Sequence, residues 1–275
     1  MRTAARRRLR FVVSTAPRLG TLYLVPTPLD FGVNTDSPIA HHLPESTLQV
    51  ATGLRHWITE NAKSTRAFLK RVQTSHGLVD TLQALNIQEL PRHVHKKGDH
   101  SPEGDDAAQL RALLAPACAG HDMGLVSEAG MPAVADPGGS IVRAAHRLGI
   151  RVVPLQGSVS LMLALAASGL NGQDFAFVGY VPQDAGSRSQ RIQALEALAL
   201  KSGQTQLMIE TPYRNAALLG ALIQTLKGET RLAVACDMGL PTSDTLSASV
   251  REWKANPAWS QRIGNDRPAV FMLGR

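Results

Sequence analysis

The acidic residues that could do chemistry follow apolar strands, and the clearest examples are Glu128 and Asp136. They belong to a loop with three glycines and two prolines that comes directly after the apolar pair Leu125 and Val126. In open α/β sheets, ligands bind beyond the carboxyl ends of the strands, where small residues let the backbone approach the ligand. Carboxylates and backbone groups at such an edge suit a neutral or cationic small ligand better than a pyrophosphate.

This glycine-rich loop lacks the spacing of known nucleotide and metal sites. It contains neither Gly-x-Gly-x-x-Gly nor Gly-Lys-Ser/Thr, so it predicts no dinucleotide and no nucleoside triphosphate. Glu128 and Asp136 could supply oxygen ligands, but the loop is fixed by prolines and offers too few further ligands, so we predict no metal there. His93 and His95 could hold a metal on one strand face, although the adjacent lysines favour a basic surface segment instead.

Three further segments contribute candidate site groups, each with a simpler alternative. Glu60 follows a short apolar run. It could be a site residue, or it could be a solvated acid that stabilises the start of the next helix. Gly157 and Ser158 precede a helix, where backbone amides could bind a ligand or the serine could only cap the helix. The turn Pro26-Thr27-Pro28 ends the first strand, either as the wall of a pocket or as a surface turn.

The elements that must position these groups alternate between strand and helix. Apolar runs predict strands at 21–25, 57–59, 125–126, 150–155, 175–181, 206–209, 231–236 and 268–273, with strand and short helix at 246–253. Helical spacing predicts helices at 64–72, 107–119, 141–149, 158–168, 191–200 and 215–226. Residues 182–189 indicate a polar linker. The helix at 158–168 is apolar almost all round, so we expect it to be buried.

The chain is long enough for one large or two medium domains, with 275 residues and a hydrophobic fraction of 44%. We predict an α/β fold with a boundary near 155–157, which separates an N-terminal α/β domain at 20–155 from a C-terminal α/β domain at 156–275. Closely spaced strands near the end indicate a mixed sheet in the second domain. Two cysteines fit a reducing, cytoplasmic compartment, and no apolar run approaches the roughly 18 residues of a membrane span.

The positive charge of the chain is concentrated at its start. Residues 1–19 contain six arginines and no acid, and removing these from the net charge of +7 leaves about +1 for the remainder. A basic arm that contacts phosphates is one interpretation, and a disordered leader from a start codon assigned too early is the other. The nearly neutral remainder weakens any inference of nucleic-acid binding from charge alone.

Five segments in order resemble the tetrapyrrole methylase superfamily, and within it the branch of small-subunit ribosomal RNA 2′-O-ribose cytidine methyltransferases. They are GTLYLVPTPL from Gly20, VSEAGMPAVADPG from Val126, GIRVVPLQG from Gly149, Phe175 to Pro182, and IETPYR from Ile209. Together they cover most of residues 20–275. The resemblance implies two α/β domains with mixed sheets, S-adenosylmethionine in the cleft between them, RNA as the substrate, and a homodimer.

The resemblance also implies roles for individual residues. The residues that would bind the cofactor are Pro26, Pro28, Glu128, Ala129, Gly130, Met131, Ser158, Val159, Ser160 and Met208. Met208 would lie under the adenine. Glu60 and Lys63 would serve the substrate, with Glu60 as the base for the hydroxyl proton and Lys63 as a positioning group. Methyl transfer from a sulfonium is an in-line displacement, so positioning is the main requirement.

The sequence departs from the family pattern at several positions, and the cofactor cleft is retained better than the positions that face the substrate. The family's Glu-Asp-Thr-Arg reads Glu60-Asn61-Ala62-Lys63 here, and its Ser-Asp-Ala-Gly has Glu128 in place of the aspartate. Three functions therefore stay open for what resembles a divergent paralogue. RNA methyl transfer is preferred; methyl transfer to a small molecule such as a tetrapyrrole and non-catalytic binding of S-adenosylmethionine are the alternatives.

Overall fold

Ten strands form two sheets of five strands each in the part of the chain that the structure describes. The structure is a computed structural model, and it describes residues 18–30, 37–91 and 107–275. The predicted His93 and His95 segment and most of the predicted basic arm lie outside these residues. No helix among the described residues is long and apolar enough to cross a membrane.

The N-terminal sheet places several strand ends at one edge because all of its strand pairs are parallel. Its order is β3-β2-β4-β1-β5. The strands are β1 (Thr21–Leu24), β2 (His56–Thr59), β3 (Asn86–Glu89), β4 (Met123–Val126) and β5 (Arg151–Pro154). All four residues of the central β4 are buried, as expected for a strand covered on both faces. The mixed pairing that we predicted occurs in the second sheet, whereas this first sheet is parallel.

Helices cover the N-terminal sheet through two apolar clusters, one that includes Trp57 and Leu69 and one that includes Leu125 and Ile141. The helices are α1 (Glu45–Gly53), α2 (Ala62–His76), α3 (Ala107–Leu113), α4 (Ala115–Cys118) and α5 (Gly139–Arg147). The predicted helix at 107–119 is thus two short helices that meet next to Pro116.

The C-terminal sheet is mixed, in the order β6-β7-β10-β8-β9, with β6 parallel to β7 and the other pairs antiparallel. Its strands are β6 (Phe175–Phe177), β7 (Thr205–Ile209), β8 (Arg231–Cys236), β9 (Asp244–Ser249) and β10 (Ala269–Gly274). Its helices are α6 (Ser160–Ser168), α7 (Ala185–Ser202), α8 (Asn215–Thr225), α9 (Val250–Ala255) and α10 (Ala258–Ile263). The chain passes from the first sheet to the second between β5 and α6; the exact domain boundary remains a prediction.

Two predictions for this half are wrong in part. The segment predicted as a polar linker begins α7, because the Asp184 side chain accepts a hydrogen bond from the Ser187 amide and caps the helix. Helix α6 packs on β8, β9 and β10, but only one of its faces is buried. Met162 and Leu163 on the other face are each 41% exposed, so an apolar composition did not mean complete burial.

Candidate active site

A cavity of about 710 Å³ lies where the loops after β2 and β4 face the ends of β7, β8 and β10. The N-terminal sheet contributes Glu60, which directly follows β2, and the loop from Glu128 to Asp136, which follows β4. The C-terminal sheet contributes residues such as Ile209 and Asp237 at the ends of its own strands. The cavity therefore lies at the carboxyl edge of the parallel sheet, as predicted from the sequence.

The glycine-rich loop is held against the first strand by backbone pairing. The Thr27 amide donates to the Gly130 carbonyl at 2.9 Å, and the Gly130 amide donates to the Thr27 carbonyl at 3.0 Å. Gly130 has φ +79°, and a Cβ atom there would come within 3.0 Å of the Leu29 side chain. Glycine is thus required both for the conformation and for the close approach of the two turns.

The proline turn packs on the segment that leads into α6. A Cβ atom on Gly157 would lie 2.3 Å from Pro26 Cγ, so only glycine allows this contact. Pro26 and Pro28 are both buried. These two prolines therefore do not line the cavity but fix the loops that line it.

Three carboxylates lie close together on the N-terminal wall of the cavity. Glu128 Oε1 accepts a hydrogen bond of 2.8 Å from Asn61 Nδ2, while Asn61 Oδ1 accepts the Lys63 and Ser64 amides and caps α2. Burial, followed by the charge of Glu60, raises the pKa of Asp136 to about 7, and Glu128 adds to the shift. The shift shows that Asp136 is placed where a negative charge is costly.

The C-terminal wall also carries carboxylates, and two of them, Glu210 and Asp237, are each paired with an arginine. Arg214 Nη2 contacts Glu210 Oε2 at 2.6 Å, and Arg267 Nε contacts Asp237 Oδ2 at 2.8 Å. Tyr180 lines the same wall, and partial burial raises the pKa of its hydroxyl, with Glu210 and Asp136 raising it further. Tyr180 is therefore a neutral phenol near neutral pH.

The structure brings seven of the predicted site residues to the cavity. These are Glu60, Glu128, Ala129, Gly130, Met131, Val159 and Ser160. The Ser158 carbonyl lies near Gly130, behind the cavity wall. Met208 is fully buried in the core of the C-terminal sheet, and its neighbour Ile209 lines the cavity instead. Lys63 is exposed in the first turn of α2 and does not line the cavity.

Several site residues were missed from the sequence or given a different role. Asp136 was placed at the ligand-binding edge and considered as a metal ligand, but it was not among the predicted cofactor-binding or catalytic residues. It lines the cavity, where the charges of Glu60 and Glu128 act on it. Glu210 directly follows β7 just as Glu60 follows β2, and this repeated position was a usable signal. Nothing in the spacing of Asp237 and Arg267 indicates that they pair.

The cavity is strongly acidic. Among its described lining residues, six are acidic and one is basic: Glu60, Glu128, Asp136, Glu210, Asp237 and Asp266 against Arg267. Such a surface attracts a cationic ligand and repels phosphates. No group of three or more histidine, cysteine, aspartate or glutamate side chains within the described ranges is arranged to hold a metal ion.

A family model described as tetrapyrrole (corrin/porphyrin) methylases matches residues 56–253. The chain is 31% identical over 248 residues to the ribosomal RNA small subunit methyltransferase I of Pseudomonas aeruginosa, covering 88% of this chain and 76% of that protein. It is 30% identical over 255 residues to the protein of the same name from Escherichia coli O157:H7, covering 92% of this chain and 77% of that protein.

Solved structures share the fold at low sequence identity. The methyltransferase CobJ is 16% identical, with a TM-score of 0.52 over 94% of each chain. A uroporphyrin-III C-methyl transferase from Thermus thermophilus, complexed with S-adenosylhomocysteine, is 16% identical with a TM-score of 0.51, over 93% of this chain and 98% of that chain. These likenesses show a common architecture of two α/β domains.

Proposed function

Since the chain belongs to the tetrapyrrole methylase family, we propose that it transfers a methyl group from S-adenosylmethionine to RNA, with a ribose hydroxyl as the acceptor. The acidic cavity is the observation that carries this proposal, together with the ribosomal RNA methyltransferases among the relatives. A ligand with a sulfonium and an ammonium group suits this cavity, because Glu60, Glu128 and Asp136 lie together on its N-terminal wall; a pyrophosphate does not suit it.

The residues present fit this cofactor. The loop from Glu128 to Met131 would hold it on one side, and Val159 and Ser160 at the start of α6 would hold it on the other. The apolar side chain of Ile209 would take the place that we predicted for Met208. S-adenosylmethionine supplies the methyl group: as the acceptor oxygen bonds to the methyl carbon, the carbon–sulfur bond breaks and its electron pair remains on sulfur.

RNA phosphates would stay outside the cavity, because its acids repel them. Lys63, Arg66 and Lys70 are exposed along α2, which begins just beyond Glu60 at the cavity edge. These cations would contact the backbone while a single ribose enters between the two walls. Lys63 would thus keep its proposed positioning role, and Glu60, which lines the cavity, would lie near the reacting groups. A uroporphyrin-like acceptor, which carries several carboxylates, would meet the same repulsion as the phosphates.

We also propose that the enzyme acts as a homodimer in the cytoplasm. Phe175 and Phe177 on the edge strand β6 are 38% and 37% exposed. They lie on the same face of the sheet as Leu207, the face on which α6 packs. Met162 and Leu163 on α6 are exposed as well. These four side chains carry no charge, so they suit an identical apolar surface better than RNA. Leu163→Arg would then halve the mass measured by light scattering.

The proposed function is tested by calorimetric titration with S-adenosylmethionine and by transfer of labelled methyl groups to a small-subunit ribosomal RNA transcript. Glu128→Arg should abolish cofactor binding, because it places a cation at the cofactor's own site. Glu229→Arg is the matched control, since Glu229 is 75% exposed on its side chain and lies outside the cavity. Cofactor binding without transfer to RNA would favour a small-molecule acceptor or a non-catalytic paralogue.

A further inference from the structure

Asp136 is held in the cavity by a backbone that is costly to form. The two alanines that come shortly before it, Ala133 and Ala135, have φ angles of +64° and +62°, in the left-handed region that side chains with a Cβ atom rarely adopt. The Ala133 amide donates to the Pro137 carbonyl at 3.3 Å and closes the turn around Asp136. Strained residues of this kind cluster at functional sites, where the surrounding structure keeps them in place.

The carboxylate of Asp136 lies among other acids. Glu60, from the end of β2, and Glu128, from the loop after β4, act on it from the N-terminal wall, and Tyr180 faces it from the C-terminal wall. Among the described residues, the remaining charged groups around the cavity are Glu210 with Arg214, Asp237 with Arg267, and Asp266. The arginines of the opposite wall are thus held by other carboxylates, while the hydrogen bond from Ser127 favours the ionised form of Asp136.

We propose that Asp136 is the catalytic base of the methyl transfer, a role that rests on the proposed function. As the ribose oxygen forms its bond to the methyl carbon, the hydroxyl proton passes to the Asp136 carboxylate and is later released to solvent. The leaving electron pair remains on the cofactor's sulfur, so charge and atoms balance without a further reactant.

This assignment changes the role of Glu60, which the sequence predicted as the base. Glu60 lines the same cavity, and its negative charge raises the pKa of Asp136. A base is most effective when its pKa is close to the working pH, and Asp136, with a pKa of about 7, meets that condition. Glu60 is then a positioning residue that acts on the proton through Asp136.

The test compares wild type, Asp136→Asn and Glu60→Gln in single-turnover methyl transfer to RNA between pH 5.5 and pH 9. The wild-type rate should rise with pH through about 7 and then level off, as Asp136 ionises. Asp136→Asn should bind S-adenosylmethionine but lower the rate by about 10²- to 10⁴-fold and remove this rise. Glu60→Gln should move the rise to lower pH, which a merely structural role would not do.

Each result decides the matter. A fall in rate of less than about 10²-fold in Asp136→Asn, or an unchanged pH profile in Glu60→Gln, overturns the assignment. Loss of cofactor binding in Asp136→Asn would make Asp136 a cofactor ligand and also overturn it. If Asp136→Asn does not fold, the pH profile of Glu60→Gln still decides. A wild type that binds cofactor but does not methylate RNA defeats the proposed function itself, which separates the two failures.

Discussion

Both walls of the cavity carry carboxylates, but the hydrogen-bond and ion-pair partners of those carboxylates differ between the two walls. On the C-terminal wall, Glu210 and Asp237 are each paired with an arginine at less than 3 Å. On the N-terminal wall, the described partner of Glu128 is the neutral amide of Asn61, and that of Asp136 is the Ser127 hydroxyl. The described partners of Glu210 and Asp237 are thus cations, whereas those of Glu128 and Asp136 are neutral donors.

This difference predicts which carboxylates stabilise the fold and which act on a ligand or a proton. A carboxylate that is paired with arginine fixes the ends of β7 and β8 and offers little to a ligand, because its charge is already matched. A carboxylate that is held by a neutral donor keeps its charge for a cationic ligand or for a proton. The comparison predicts that substitutions on the C-terminal wall change the stability of the fold, and that substitutions on the N-terminal wall change ligand binding and pH dependence.

The largest loss of stability is expected from Arg214→Ala. It leaves the Glu210 carboxylate, whose side chain is only 3% exposed, without its charged partner, and breaking a buried pair in this way costs about 3 kcal/mol. Urea denaturation measures the loss. Arg251→Ala is the matched control, because its partner Glu229 and Arg251 itself are both about three-quarters exposed, and such a pair is worth at most about 1 kcal/mol. Equal losses in the two variants would contradict the comparison.

A second effect, a gain in stability rather than a loss, is expected when the charge of Asp136 is removed in the absence of any ligand. Its pKa is raised from 3.8 to about 7, so between these values the folded protein binds more protons than the unfolded chain. The contribution of Asp136 to stability is therefore greatest at low pH and is lost as pH rises through about 7. Asp136→Asn, which stays neutral, should raise the thermal midpoint at pH 8 and change it little at pH 5. A variant that is less stable than wild type at pH 8 would contradict this.

Much of this arrangement was predictable from the sequence. The loop glycines and the order of strands and helices placed Glu60 and Glu128 at strand ends, and parallel strands bring those ends together at one edge. The confirmed family resemblance added the cleft between two α/β domains.

The rest depended on contacts between distant segments, which no local pattern encodes. Side chains alternate along β7, so Met208 and Ile209 face opposite sides of the sheet, and the apolar run alone could not decide which side meets the cavity. The role of Asp136 depends on charges that come from β2 and on the fold of its own turn, and its sequence neighbours show neither.

The smallest effect tests the N-terminal wall at its departure from the family pattern. Asn61 and Glu128 both differ from the family residues, and they contact each other at 2.8 Å. Asn61→Asp would restore the family residue and keep the cap on α2, because aspartate caps as well as asparagine. It would also replace the amide donor with a carboxylate that repels Glu128, so we expect a loss of about 0.5 kcal/mol in the free energy of unfolding, and this loss should shrink at high salt.

A second substitution should reverse this loss. Asn61→Asp with Glu128→Gln should recover stability, since a glutamine amide can donate to the new carboxylate. Urea denaturation of the four proteins of this cycle measures the coupling. If the loss in the double variant equals the sum of the losses in the two single variants, the two residues act independently, and the neutral pairing of this wall has no energetic role.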